Sequence, residues 1–106
     1  MNAEEFVALC FQEKESTLQE YFNTGSQTKV SKIINALIKS GMQKNDLYAL
    51  VDLILSETYY TLLLGLDGEA SLGNKQVGYK IFDEKGNLLN ERGEIEVAAF
   101  KHFIKD

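Results

Sequence analysis

Between Asp46 and Leu64 almost every position that a helix would present is apolar. Leu47, Leu50, Val51, Ile54, Thr58 and Leu62 form one stripe, and Leu53, Leu55, Tyr59, Tyr60 and Leu63 fill much of the remaining circumference. A helix that is apolar nearly all round belongs at the centre of a fold, covered by other elements. Asn45 or Asp46 can cap its start, and Gly65 would stop it. The longest apolar run, Leu62-Leu63-Leu64 with Gly65 and Leu66, is far short of a membrane span.

The rest of the chain supplies the cover. Phe6, Leu9, Cys10, Leu18, Tyr21 and Phe22 recur at near-helical spacing behind a capping pattern at Asn2 and Glu5. Glu13-Lys14-Glu15 interrupts that pattern, so the segment reads as one long helix or two short ones. Gly25 suits a left-handed stop. Val30, Ile33, Ile34, Leu37 and Ile38 define a second helix, capped by Ser26 or Thr28 and closed by Lys39 and Gly41. Gly65, Gly68 and Gly73 mark an irregular loop. Val77, Tyr79, Ile81 and Phe82 suggest a strand, Asp83 to Asn87 a turn with Gly86 at positive φ, and Leu88-Leu89 the returning strand. After Gly93, residues Ile95, Ala98, Ala99, His102 and Phe103 give a last helix. Glu94 and Glu96 at its start and Lys101 and Lys105 at its end suit its dipole. The expected class is α+β and mainly helical: three N-terminal helices, a short antiparallel β-hairpin and a C-terminal helix, in one compact domain over residues 1–106.

Composition narrows the function. The net charge of −5 speaks against a general nucleic-acid binder. A single cysteine, Cys10, excludes an internal disulfide framework, and a single histidine, His102, argues against a His-rich metal site. The first residues lack a basic region followed by an apolar one, which with the lone thiol leads to an expectation of cytoplasmic localisation. The acidity is unevenly spread. Residues 51–74 carry Asp52, Glu57, Asp67 and Glu69 with no basic residue, whereas Lys29, Lys32, Lys39 and Lys44 make residues 21–50 basic.

Glu57 falls on the predicted buried stripe, where a carboxylate needs a hydrogen-bond partner, a cation or solvent. It can act as a general base or grip a basic group; it can equally reach the helix edge, or bond a tyrosine or a loop amide. Asp67 and Glu69 lie in the glycine loop. The calcium-loop spacing of acidic residues is missing, as is a Gly-Lys-Ser/Thr phosphate loop, so no metal or cofactor is expected. The loop reads as a structural turn or a partner contact. Thiol catalysis would need Cys10 beside His102, and nothing in the sequence brings them together. Tyr59 and Tyr60 diverge by about 100° on a helix, so one of them is expected at a boundary or interface.

The run Glu57-Thr-Tyr-Tyr-Thr-Leu-Leu-Leu-Gly-Leu-Asp-Gly-Glu-Ala-Ser-Leu-Gly73, with Tyr79, Asp83-Glu84-x-Gly86-Asn87 and Gly93-Glu-Ile-Glu96, resembles small bacterial immunity proteins encoded beside polymorphic or contact-dependent growth inhibition toxins. The resemblance covers residues 57–100. It implies a non-enzymatic cytoplasmic protein that binds and neutralises a cognate protein toxin, a basic nuclease among the options, without nucleic acid or membrane. The acidic block then suggests Glu57, Tyr59, Tyr60, Asp67 and Glu69 as the partner-binding set. The competing readings are a small regulatory or adaptor protein without a toxin partner, and a small enzyme using Glu57.

Overall fold

A computed structural model describes residues 1–104, the side chain of Arg92 excepted. Helix α1 runs unbroken over Ala3–Tyr21. Asn2 Oδ1 accepts the Glu5 N–H at 2.9 Å, satisfying one of the free amides of the first turn. The polar interruption is absorbed because Lys14 points inward: Val7, Lys14 and Leu18 are buried on one helical face. Lys14 Nζ lies 2.7 Å from Asp52 Oδ1, 3.1 Å from Glu15 Oε2 and 4.9 Å from the Phe11 ring centroid. Gly25 does not take the left-handed conformation expected of it. An Asn23 side chain accepting the Gly25 N–H at 2.9 Å makes the turn instead.

Helix α2, Lys29–Lys39, starts at Thr28, whose Oγ1 accepts the Ser31 N–H at 3.1 Å. It ends before Gly41, at φ 113°. Of its five apolar positions only Ile34 is buried, and Ile33 is 61% exposed. Ser31 is also buried, with its hydroxyl on the Glu20 carbonyl at 3.2 Å, so α2 is pinned to the end of α1 by little contact area.

Helix α3 spans Lys44–Leu66. It begins after Gln43, whose carbonyl accepts the Leu47 N–H, so Asn45 and Asp46 sit inside the first turn and cap nothing. Gly65 does not stop it either. Gly65 is buried in the last turn, where a Cβ would stand 3.3 Å from Leu72 Cβ, so the loop closes tightly onto the helix at this point. The turn away from the helix is made by Gly68, at φ 78°.

After the loop, a 3₁₀ turn over Glu91–Gly93 leads through Gly93 (φ 74°) into helix α4, Glu94–Ala99, which widens into a π-type turn over Phe100–Ile104. Lys105 lies outside the described residues. The main core joins Ala3 and Val7 of α1, Leu63 of α3, and Ile95, Ala98, Ala99 and Phe103 of the C-terminal helix.

The expected α+β class is incorrect. Among the described residues the fold is all-α, with no strand or sheet. The hairpin turn itself forms: Asp83 accepts the N–H groups of Lys85 and Asn87, and Gly86 has φ 84°. What fails is the ladder. Only the isolated bridge Phe82–Leu88 appears there. The side chain of Asn90 takes the places a strand would hold, accepting the Ile81 N–H at 2.9 Å and donating to the Tyr79 carbonyl at 2.6 Å. A lone two-stranded hairpin is marginal in water, and a side chain that satisfies its inner edge leaves no drive to extend it.

The second correction concerns α3. It is not enclosed. Most of the predicted buried stripe is open: Leu50, Ile54, Thr58 and Leu62 are exposed and Val51 is half-buried, so Leu47 alone of the stripe is buried, while Leu63 from the remaining circumference joins the core. Helix α1 and the C-terminal helix, whose α4 segment is six residues long, cover a single side of a helix of 23 residues. The radius of gyration is 16.3 Å. A folded chain of this length averages about 13 Å.

Candidate functional site

On the uncovered side of α3 two parallel ridges of residues four apart stand in solvent. Leu50, Ile54, Thr58 and Leu62 form one, and Leu53, Glu57 and Thr61 the other. Leu53 is 59% exposed and Ile54 53%. Leu72, seated against Gly65, extends the surface from the loop. Ile54, Glu57, Thr58, Thr61, Leu62 and Leu72 line an open groove of about 470 Å³.

The electrostatics of this face reduce to one group. From Leu47 to Leu66 α3 carries two charges, Asp52 and Glu57. Asp52 is engaged by Lys14. Glu57 has no ion-pair or side-chain hydrogen-bond partner among the described residues, and no other titratable side chain lines the groove. Such an arrangement can accept hydrogen bonds from an incoming Lys or Arg while leucine and isoleucine contacts exclude water around it. It offers no second group for acid–base chemistry.

The other expected site residues are dispersed. Tyr59 faces the core, stacked on Phe103 with ring centroids 5.7 Å apart and planes 12° apart; burial pushes its phenol upward. Tyr60 packs against the same core, and both tyrosines are half-buried at its boundary. The core wraps far enough round α3 to take both.

Asp67 is 9% exposed, and its Oδ2 accepts the Glu96 N–H at 2.8 Å, which ties the end of α3 to α4. Burial pushes the Asp67 carboxyl upward; the Glu96 N–H pulls it down, and the charges of Glu69, Glu94 and Glu96 add to the rise. Glu69 is exposed, with Oε1 3.2 Å from where a Cβ on Gly93 would lie. Asp67 is ten residues from Glu57, about 15 Å along the helix axis. The acidic block is thus two places, a bare carboxylate on α3 and a loop anchor on α4.

His102 Nε2 lies 2.8 Å from Glu4 Oε1, and its ring contacts Phe11. The Glu4 carboxyl is held down by the His102 hydrogen bond first and by Lys101. Cys10 is half-buried, and burial pushes its thiol upward, away from nucleophilic character. No group of three or more His, Cys, Asp or Glu side chains is placed to hold a metal among the described residues.

Sequence reasoning missed Lys14 and Asn90. Lys14 could have been found, because it stands seven residues after Val7 and four before Leu18, on the same face. Nothing local marks Asn90. By length and composition alone α3 is long and apolar enough to cross a membrane, and 11% of its most apolar 18 residues are buried here.

No known protein family, curated protein or solved structure matches this chain at a significant level.

Proposed function

We propose that this protein is a small interaction module that binds a protein partner through the open face of α3, with Glu57 as the anchor for a lysine or arginine of that partner. The observation that carries this reading is a single carboxylate without a counter-ion, set among Leu53, Ile54 and Leu62 on a surface the fold leaves bare. Exposed apolar patches of this kind mark interaction surfaces. The resemblance to immunity proteins gives the partner its class: a toxin domain encoded beside this gene, whose basic groups meet the acidic side of the chain. Opposite charge would speed encounter and the leucine contacts would slow release. Tyr59, Tyr60 and Asp67 support the surface from within and do not touch the partner; Glu69 lies at its periphery.

The test is co-expression with the adjacent toxin domain, reading growth protection and affinity. Wild type should protect. Glu57→Lys should weaken the complex about 100-fold by placing like charge against like, and Leu53→Glu should weaken it similarly. Full protection by both variants, or no binding by the wild type, would refute the reading.

A further inference from the structure

One stretch of this acidic chain is basic, and the fold gives it no counter-charge. Residues 21–45 hold Lys29, Lys32, Lys39 and Lys44 and no acidic residue. None of the four forms an ion pair among the described residues.

The turn between α2 and α3 brings two of them to one groove. The Met42 N–H donates to the Leu37 carbonyl and the Gly41 N–H to that of Ile38, each at 3.1 Å. This is a Schellman closure, which Gly41 at φ 113° permits. The chain reverses there, so Lys39, the last residue of α2, and Lys44, the first of α3, line the same groove. Thr24 joins them from the turn that Asn23 holds through the Gly25 N–H. With Phe22, Asn35 and Ile38 they line a groove of about 390 Å³. None of its four polar side chains has a hydrogen-bond partner or counter-ion among the described residues. No acidic side chain lines it; Glu20 belongs to a neighbouring groove that shares Phe22 and Lys44. The negative end of α2 and the positive end of α3 offset each other at this place, so the two lysines set its charge.

We propose that this groove binds a phosphate monoester, with Lys39 and Lys44 on the phosphate. Two ammonium groups match a phosphate ester of charge about −1.5 to −2 at pH 7, and exceed what a single carboxylate needs. The Asn35 amide and the Thr24 hydroxyl can donate to further oxygens. Phe22 and Ile38 supply an apolar wall for the organic group, and the volume falls in the usual range of roughly 300–1,000 Å³ for small-molecule sites. A ligand held there touches the α1–α2 turn, α2 and α3 together. It therefore ties down a helix that Ser31 and Ile34 alone pin by burial. Lys44 is 13 residues before Glu57 on α3, about 20 Å along the axis. The groove is opposite in charge to the Glu57 face and does not rest on the function proposed for it.

Titration of the full chain with phenyl phosphate at constant ionic strength, followed by amide chemical shifts, tests the proposal. Wild type should saturate in the millimolar range, with shifts centred on Thr24, Asn35, Lys39 and Lys44. Lys39→Gln with Lys44→Gln should weaken binding about tenfold or more. Lys29→Gln with Lys32→Gln removes the same charge outside the groove and should change it by no more than about threefold, because solvent and salt screen those charges. All four lysines are exposed, and unchanged circular dichroism will show that both variants are folded. At about ten times its dissociation constant the ester should slow amide exchange from Ile33 to Leu37 about tenfold. Wild type that does not saturate by about 20 mM overturns the proposal. So does equal loss in the two double variants, which would assign binding to a diffuse positive field. Saturation that leaves the α2 exchange unchanged also overturns it. Phosphatidylcholine vesicles doped with phosphatidic acid identify the source of the phosphate. Co-sedimentation that is lost with Lys39 and Lys44 makes it a lipid headgroup, and absence of co-sedimentation makes it a soluble ester; each supports the groove as the site.

Discussion

Removing either end of the Lys14–Asp52 pair should have unequal consequences, because the two ends are unequally buried. The Lys14 side chain is 4% exposed and that of Asp52 is 41% exposed. Asp52→Ala leaves an ammonium inside the fold with only Glu15, itself half in solvent, to answer it. Deleting one partner of a fully buried pair costs about 3–5 kcal/mol. Glu15 remains and water can approach from the Asp52 side, so about 2–3 kcal/mol is expected here. Lys14→Met removes the buried charge altogether, retains the stem that packs on Phe11, and leaves Asp52 where water reaches it. A cost below about 1 kcal/mol is expected, and a gain is within the mechanism. The double change should lie near Lys14→Met, since the buried ammonium is gone in both. Urea unfolding followed by circular dichroism, run as a double-mutant cycle, measures all three. A Lys14→Met cost equal to or above that of Asp52→Ala would refute the reasoning. The pair also sets an alkaline limit. Burial pulls the Lys14 ammonium down, but its hydrogen bonds to Asp52 and Glu15 outweigh that and hold it above its ordinary value. Its contribution is therefore whole below about pH 10 and fades as pH rises through the folded-state value. Lys14→Met should lack that fade.

Three further outcomes follow from the loop and its anchors. Asp67→Asn retains an oxygen for the Glu96 N–H and should be neutral or stabilising at pH 7, whereas Asp67→Ala should cost about 1–2 kcal/mol in thermal or urea unfolding. Because the folded carboxyl is raised, the wild type should gain from this group as pH falls through its titration, and Asp67→Asn should show no such gain. Gly93→Ala places a Cβ at φ 74° and 3.2 Å from Glu69 Oε1, and should lower stability by about 1–2 kcal/mol. Asn90→Ala removes bonds to Ile81, Tyr79 and Leu66, and should cost about 2–3 kcal/mol while accelerating amide exchange at Ile81.

What was legible in the sequence were the helices whose signals are local. Asn2 and Thr28 cap as their side chains dictate, and Gly93 opens the last helix where a left-handed residue was needed. What was not legible depended on how many neighbours each helix would acquire. The apolar circumference of α3 reads as burial only if enough chain exists to cover it, and residues 67–90 form a loop in place of a covering layer. The hairpin failed for a reason outside its own residues: Asn90, one position past the return strand, competes for its hydrogen bonds. Glu57 falls on the face read as buried and stands exposed there, because that face is left uncovered. Asp67 shows why acidic residues clustered in sequence need not act together, since its carboxyl is spent on the amide of Glu96.

The slender attachment of α2 has a consequence for how the molecule opens. Ser31 and Ile34 are its only buried residues, so detaching it uncovers little apolar surface and costs far less than melting the core around Ile95 and Phe103. Amides of Ile33 to Leu37 should then exchange with solvent deuterium through a sub-global opening that leaves Val7 and Leu63 protected. The chain would behave as two cooperative units of unequal strength, with the weaker one at the basic end.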